Sequence, residues 1–197
     1  MINDKILNKI KSKKRGWVFC AKDFHDLGSR NTIDKNLSRL VDNQTIIRLA
    51  RGVYYFPTIQ QNVGIVPPDM NAVAKAIADN AGIVIYPSGA ASANMLGLSN
   101  QVPAQNIYWT HGKSITKRIG KNSIQFKHTK INPTPNTPSI VVMVLNALKY
   151  IGKNKVDDFV IKKCSKYLND SDKKSLQKMS SGVSGWICDF IPKIVAA

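Results

Sequence analysis

Apolar positions recur along this chain at two spacings, and they divide it into alternating helical and strand-like stretches. Ile2, Ile6, Leu7 and Ile10 fall on one helical face, with Asn3 or Asp4 able to serve the N-terminus, and predict a first amphipathic helix ending in Lys11 to Arg15. Gly16 breaks it, and Trp17-Val18-Phe19 reads as a short strand. Residues 21–27 fit a short second helix with Phe24 and Leu27 inward, and Gly28 makes a turn. Ser29 or Asn31 then caps a third helix running to about Asp42, with Ile33, Leu37, Leu40 and Val41 as its apolar stripe. Ile46–Leu49 and Val53–Phe56 are strand-like and are joined through Arg51-Gly52, which predicts a hairpin.

Past this hairpin the pattern changes. Thr58 to Pro68 is polar and then Pro-rich, which suits a linker. Val73, Ala74, Ile77 and Ala78 predict a helix over 70–80, and Ile83–Tyr86 a buried strand closed by Pro87. Ser88 to Leu96 reads as a helix of small residues, which implies close packing against another element. Ile107–Thr110 is a further strand, and Ser114–Ile119 and Ser123–His128 flank Gly120-Lys121-Asn122 as a hairpin. Asn132 to Pro138 reads as a rigid loop. Four helical segments follow: 139–150, 156–168 (Phe159, Val160 and Cys164 inward), one capped by Ser171 or Asp172 through Met179, and 184–195. The expected fold class is therefore α+β: a winged helix-turn-helix over residues 1–59, then a mixed α/β region over 60–197 that ends in a helical bundle.

Charge turns this outline towards a partner. The 197 residues carry 29 Lys and Arg against 12 acidic side chains, a formal charge of +17, and every acidic residue is Asp. Residues 1–60 hold twelve basic and five acidic side chains, residues 61–112 one and two, and residues 113–197 sixteen and five. Two basic blocks around a neutral centre suit a polyanion or an acidic protein. The run Lys13-Lys14-Arg15 is more simply a solvated helix end.

A helix that reads a DNA groove needs a polar, unencumbered first turn, and Ser29, Arg30, Asn31 and Thr32, followed by Lys35 and Arg39, meet that need. Arg48 and Arg51 would add charge at the hairpin. Lys113, Lys117, Arg118, Lys121, Lys127 and Lys130 mark a second basic surface, for nucleic acid or for an acidic partner. The plain alternative is a winged-helix module that binds an acidic protein.

Little here suggests catalysis. Gly28-Ser29 followed by Asp34 evokes a nucleotidyltransferase turn, but the second carboxylate such sites use to hold Mg²⁺ is missing. Asp157-Asp158 better complements a helix dipole, and His25, His111 and His128 are scattered. Cys20, Cys164 and Cys188 fit neither a disulfide framework nor a zinc site. No cofactor, metal, membrane span or signal peptide is expected, and the compartment expected is the cytoplasm.

Two stretches resemble the AbiEi-like antitoxin family of type IV toxin–antitoxin systems. One is DF…GSRNTIDKNLSRLVDNQTIIRLARGVYYFP, closing on Arg51 to Pro57; the other is YPSGAASANMLGLSNQVPAQNIYWTHGKS, Tyr86 to Ser114. Together they cover residues 17 to about 128, while the C-terminal helices match only in position and character. The resemblance implies a winged-helix domain that binds double-stranded DNA at its own promoter and represses its operon. It implies further that the rest of the chain neutralises a nucleotidyltransferase-like toxin without a stable complex, with a role in phage defence.

Overall fold

The computed structural model describes residues 2–129, 131, 136–179 and 183–197. Lys130 and residues 132–135 of the expected proline loop lie outside them. The chain is a mixed α and β protein in two compact units. The first comprises Met1–Val84 with Lys117–Ile124, the second Ile85–Thr116 with Gln125–Ala197. The expected boundary between residues 59 and 60 falls inside a strand, and the first unit continues through a further helix to Val84.

In the first unit, α1 (Ile2–Ser12) buries Ile6 and Ile10 completely. Each such side chain contributes on the order of 1.5–3 kcal/mol relative to exposure. Then β1 (Val18–Cys20) leads into a 3-10 turn over Ala21–Phe24, whose start is held by the Cys20 N–H donating to Asp23 Oδ2 at 2.8 Å. That turn replaces the expected helix over 21–27. Phe24 is buried, whereas Leu27 is only partly covered.

Helix α2 (Arg30–Asp42) is capped by Ser29, and its stripe of Ile33, Leu37 and Leu40 meets Ile6, Ile10, Phe19, Phe24, Ile46 and Phe56 in one core. Strands β2 (Ile47–Ala50) and β3 (Val53–Tyr55) pair antiparallel with a bulge between Arg48 and Ala50, and β1 completes a sheet of order β1-β3-β2. Gly52 closes the hairpin at φ +75°, a conformation that costs glycine nothing.

The expected linker is instead a two-stranded hairpin, β4 (Thr58–Gln60) on β5 (Gly64–Val66). Two hydrogen bonds tie it to the first sheet: Tyr55 Oη donates to the Val66 carbonyl at 2.8 Å, and Thr58 N–H donates back to Tyr55 Oη at 3.4 Å. Helix α3 (Met70–Ala81), capped by Asp69 and stopped by left-handed Gly82, packs its Val73–Ala74–Ile77 face on β1 and β3.

The second unit is built on α4 (Gly89–Met95) against α5 (Ser139–Ile151). The small residues of α4 allow this approach. A Cβ at Gly89 would lie 2.7 Å from Tyr150 Cβ and 2.8 Å from the Asn146 carbonyl oxygen. Four strands form a sheet of order β6-β7-β9-β8: β6 (Ile85–Pro87), β7 (Asn106–Thr110), β8 (Ile115–Ile119) and β9 (Asn122–His128), with residues 117–119 of β8 and 122–124 of β9 counted in the first unit. The strand expected over 83–86 starts two residues later, and Val84, at 61% exposure, lies outside it.

Helices α6 (Asp158–Lys166), α7 (Asp170–Lys178), α8 (Gly185–Cys188) and α9 (Ile191–Ala196) enclose a core with α5. Three details differ from the sequence reading. Phe159 is 60% exposed, because Val160, Ile161 and Cys164 take the buried stripe of α6. Asn169 caps α7, and Asp172 reciprocates from the third helical position as a capping box. The segment 184–195 breaks into two helices, with Pro192 in the first turn of the second, where its missing N–H costs nothing.

Candidate nucleic-acid interface

Helix α2 turns its apolar stripe inward, so Asn31, Lys35, Ser38 and Arg39 are left exposed on the other side. Residues 31, 35 and 38 stand three and four apart and form one outward ridge. Ser29 sits at the N-cap: its Oγ accepts from Thr32 N–H at 3.4 Å and lies 2.9 Å from Thr32 Oγ1. Both residues are therefore engaged in starting the helix. Asn36, which the sequence reading did not single out, is buried and donates from Nδ2 to the Thr32 carbonyl at 2.8 Å.

Arg30 is not free. Its Nε donates to Asp34 Oδ2 at 2.8 Å, one helical turn on, and both side chains remain about half exposed. The pair turns towards the β2–β3 hairpin. There Arg30, Arg48 and Arg51 line a groove of about 610 Å³ with Asp34, Tyr54 and Lys117. Tyr54 pairs with Arg48 across the strands, and burial pushes its phenol up from the usual value although Arg48 pulls the other way.

The eight predicted positions thus divide. Arg30, Arg48 and Arg51 converge on the groove, Asn31, Lys35 and Arg39 stand exposed on the helix, and Ser29 and Thr32 cap it. The groove's remaining wall comes from α3. Ile77, Asn80 and Ala81 line it, and Asn80 Nδ2 donates to the Arg51 carbonyl at 3.4 Å. Sequence reasoning placed α3 in another domain and missed these residues. The Asn80-Ala81-Gly82 helix end was visible, but nothing local reveals what it packs against.

The second basic set is spread out. Lys117 and Arg118 are exposed on β8 and Lys121 on the turn, all in the first unit, whereas Lys113 and Lys127 belong to the second. Lys130 lies outside the described residues. Among the described residues no group of three or more His, Cys or Asp side chains could hold a metal ion, and no helix is long and apolar enough to cross a membrane. The enzyme-like Gly28-Ser29…Asp34 series resolves into a turn, a cap and an ion-paired helix residue.

An α+β protein with an exposed polar helix beside an arginine-bearing hairpin is the class these features define. The chain belongs to a family of unknown function, DUF6088, whose model matches residues 5–176. Comparison with curated proteins gives no match.

Proposed function

We propose that this protein is a winged helix-turn-helix DNA-binding autorepressor and the antitoxin of a type IV system, working in the cytoplasm without catalytic activity of its own. The observation that carries the reading is the exposed face of α2, Asn31, Lys35 and Arg39, in the same compact unit as the Arg48 and Arg51 hairpin, whose groove the adjoining Arg30 and Asp34 of the helix line. Arginine suits guanine edges and asparagine adenine edges, while Lys35 and the hairpin arginines suit phosphates. The Arg30–Asp34 pair deepens the reading: it holds the guanidinium by one nitrogen and leaves the other two to reach a base. The likeness to AbiEi-like antitoxins supplies the rest of the reading, a nucleotidyltransferase-like toxin neutralised without a stable complex.

The test has two arms. Fluorescence anisotropy with the DNA upstream of the gene should show specific binding that weakens steeply with salt. Replacing Asn31 and Arg39 with Ala should relax specificity, and Lys35→Ala or Arg51→Ala should lower the salt slope by about one each. If a nucleotidyltransferase-like toxin is encoded beside the gene, co-expression with it should restore growth. Absence of specific binding together with absence of rescue would sink the proposal. Recovery of one acidic protein in stoichiometric amounts, with no DNA shift at physiological salt, would put the protein-interaction module in its place.

A further inference from the structure

The second unit contains a cavity that DNA binding by the first unit does not use. It measures about 410 Å³, within the range of roughly 300–1,000 Å³ typical of small-molecule sites. Trp109 of β7 and Tyr150 of α5 contribute aromatic surface to it, and Tyr150 is 49% exposed. Between these the lining is polar and built. Asn146 is 4% exposed, and its Nδ2 donates to the Pro87 carbonyl at 3.2 Å, leaving Oδ1 as the atom that can accept from a ligand. Thr129 is also buried, and its Oγ1 accepts from Ile131 N–H at 3.1 Å, which leaves the hydroxyl proton to donate. Lys149 and His128 are exposed at the rim. Gly89 fixes the geometry, since any side chain there would push Tyr150 and the Asn146 backbone away.

We propose that this cavity binds a nucleoside monophosphate unit, its base against Trp109 and Tyr150 and its phosphate at Lys149. A purely apolar ligand would leave the Asn146 and Thr129 polar atoms unanswered, and a simple anion would not use the aromatic surface. A base offers both a stacking face and an edge with donors and acceptors, and its phosphate answers the cation. The surrounding unit favours an anion, with thirteen lysines against five aspartates over residues 85–116 and 125–197. The same chemistry is presented by a free nucleotide and by the 5′ end of a nucleic-acid strand.

Calorimetric titration of the full chain with AMP, UMP, adenosine, inorganic phosphate and a short ribo-oligonucleotide with and without a 5′ phosphate tests this. The expected result is saturable binding of a monophosphate, or of the phosphorylated strand alone if strand ends are the source. Tyr150→Ala should weaken it about tenfold or more, the loss expected for one stacking partner. Lys149→Ala should weaken the phosphorylated ligands and leave adenosine unchanged. Tyr150 and Lys149 are both exposed, so these variants should fold even where Trp109→Ala does not. Specific DNA binding, read on the same samples, should be unaffected by either variant, so the two proposals fail separately. No saturable binding up to millimolar ligand, binding untouched by both variants, or inorganic phosphate competing as well as the nucleotide would each overturn the assignment.

Discussion

Gly89→Ala probes the packing on which the second unit depends. The added methyl would sit 2.7 Å from Tyr150 Cβ and 2.8 Å from the Asn146 carbonyl oxygen, against ordinary carbon contacts of about 3.5–4.0 Å. Both obstacles lie on or next to the α5 backbone, so no rotamer change relieves them; α4 must retreat by about an ångström. Overpacking of this kind costs about 1–3 kcal/mol. Alanine regains up to about 1 kcal/mol of helix propensity, and less at the first helical position. With about 0.5 kcal/mol regained, the net expectation is a loss of about 0.5–2.5 kcal/mol. At about 2–4 °C per kcal/mol for a chain of this size, the melting temperature should fall by roughly 1–10 °C. Calorimetry reads the shift directly, and two compact units call for a test of whether they melt together. A melting temperature unchanged or raised would refute the close approach of α4 to α5.

Further outcomes are expected elsewhere. Ser29→Ala removes the cap of α2 and should cost about 1 kcal/mol in urea denaturation, whereas Ser29→Gly should cost only a few tenths. Asp34→Ala breaks a half-exposed pair worth about 0.2–1 kcal/mol, so its stability effect should be small, while the proposed DNA binding should change through the released Arg30. Burial pushes the Cys164 thiol up to about 12 and raises that of Cys20, so at pH 8 a thiol reagent followed by mass spectrometry should label Cys188 first. The same shift has a stability consequence. A thiol raised above its unfolded value of 9.0 contributes fully below pH 9 and loses that contribution as pH rises towards 12, so Cys164→Ser should flatten the alkaline limb of the stability curve. Twelve aspartates can neutralise at most twelve of 29 cations one to one, so moderate salt should raise the melting temperature by screening the excess.

Helices α1, α2, α3 and α5 were legible because each repeats its apolar residues at the helical period over three turns or more. The β4–β5 hairpin was not. Its three-residue strands alternate too briefly to register, and the bonds from Tyr55 that hold it come from outside the segment. Phe159 was misplaced because a wide apolar cluster at 159–161 fits two helical faces, and only the core decides between them. The candidate interface was half visible. The exposed face of α2 follows from its own stripe, but the Arg30–Asp34 pairing and the wall from α3 require the fold. The cavity was invisible, since Gly89, Trp109, Thr129 and Asn146 are far apart in sequence and are united only by the close packing that the small residues of α4 had announced.

The hairpin turn at Arg51-Gly52 is braced from the side. Asn80 bonds the Arg51 carbonyl, and a Cβ at Gly52 would come within 3.0 Å of the same amide. A loop tip usually arrives at a charged surface as an ensemble and loses entropy when it settles. This one is restrained before any encounter, so little of the attraction of its arginine is spent on ordering the backbone. Backbone relaxation at Arg51 and Gly52 should resemble that of a strand, and Asn80→Ala should loosen the tip without touching a single charge.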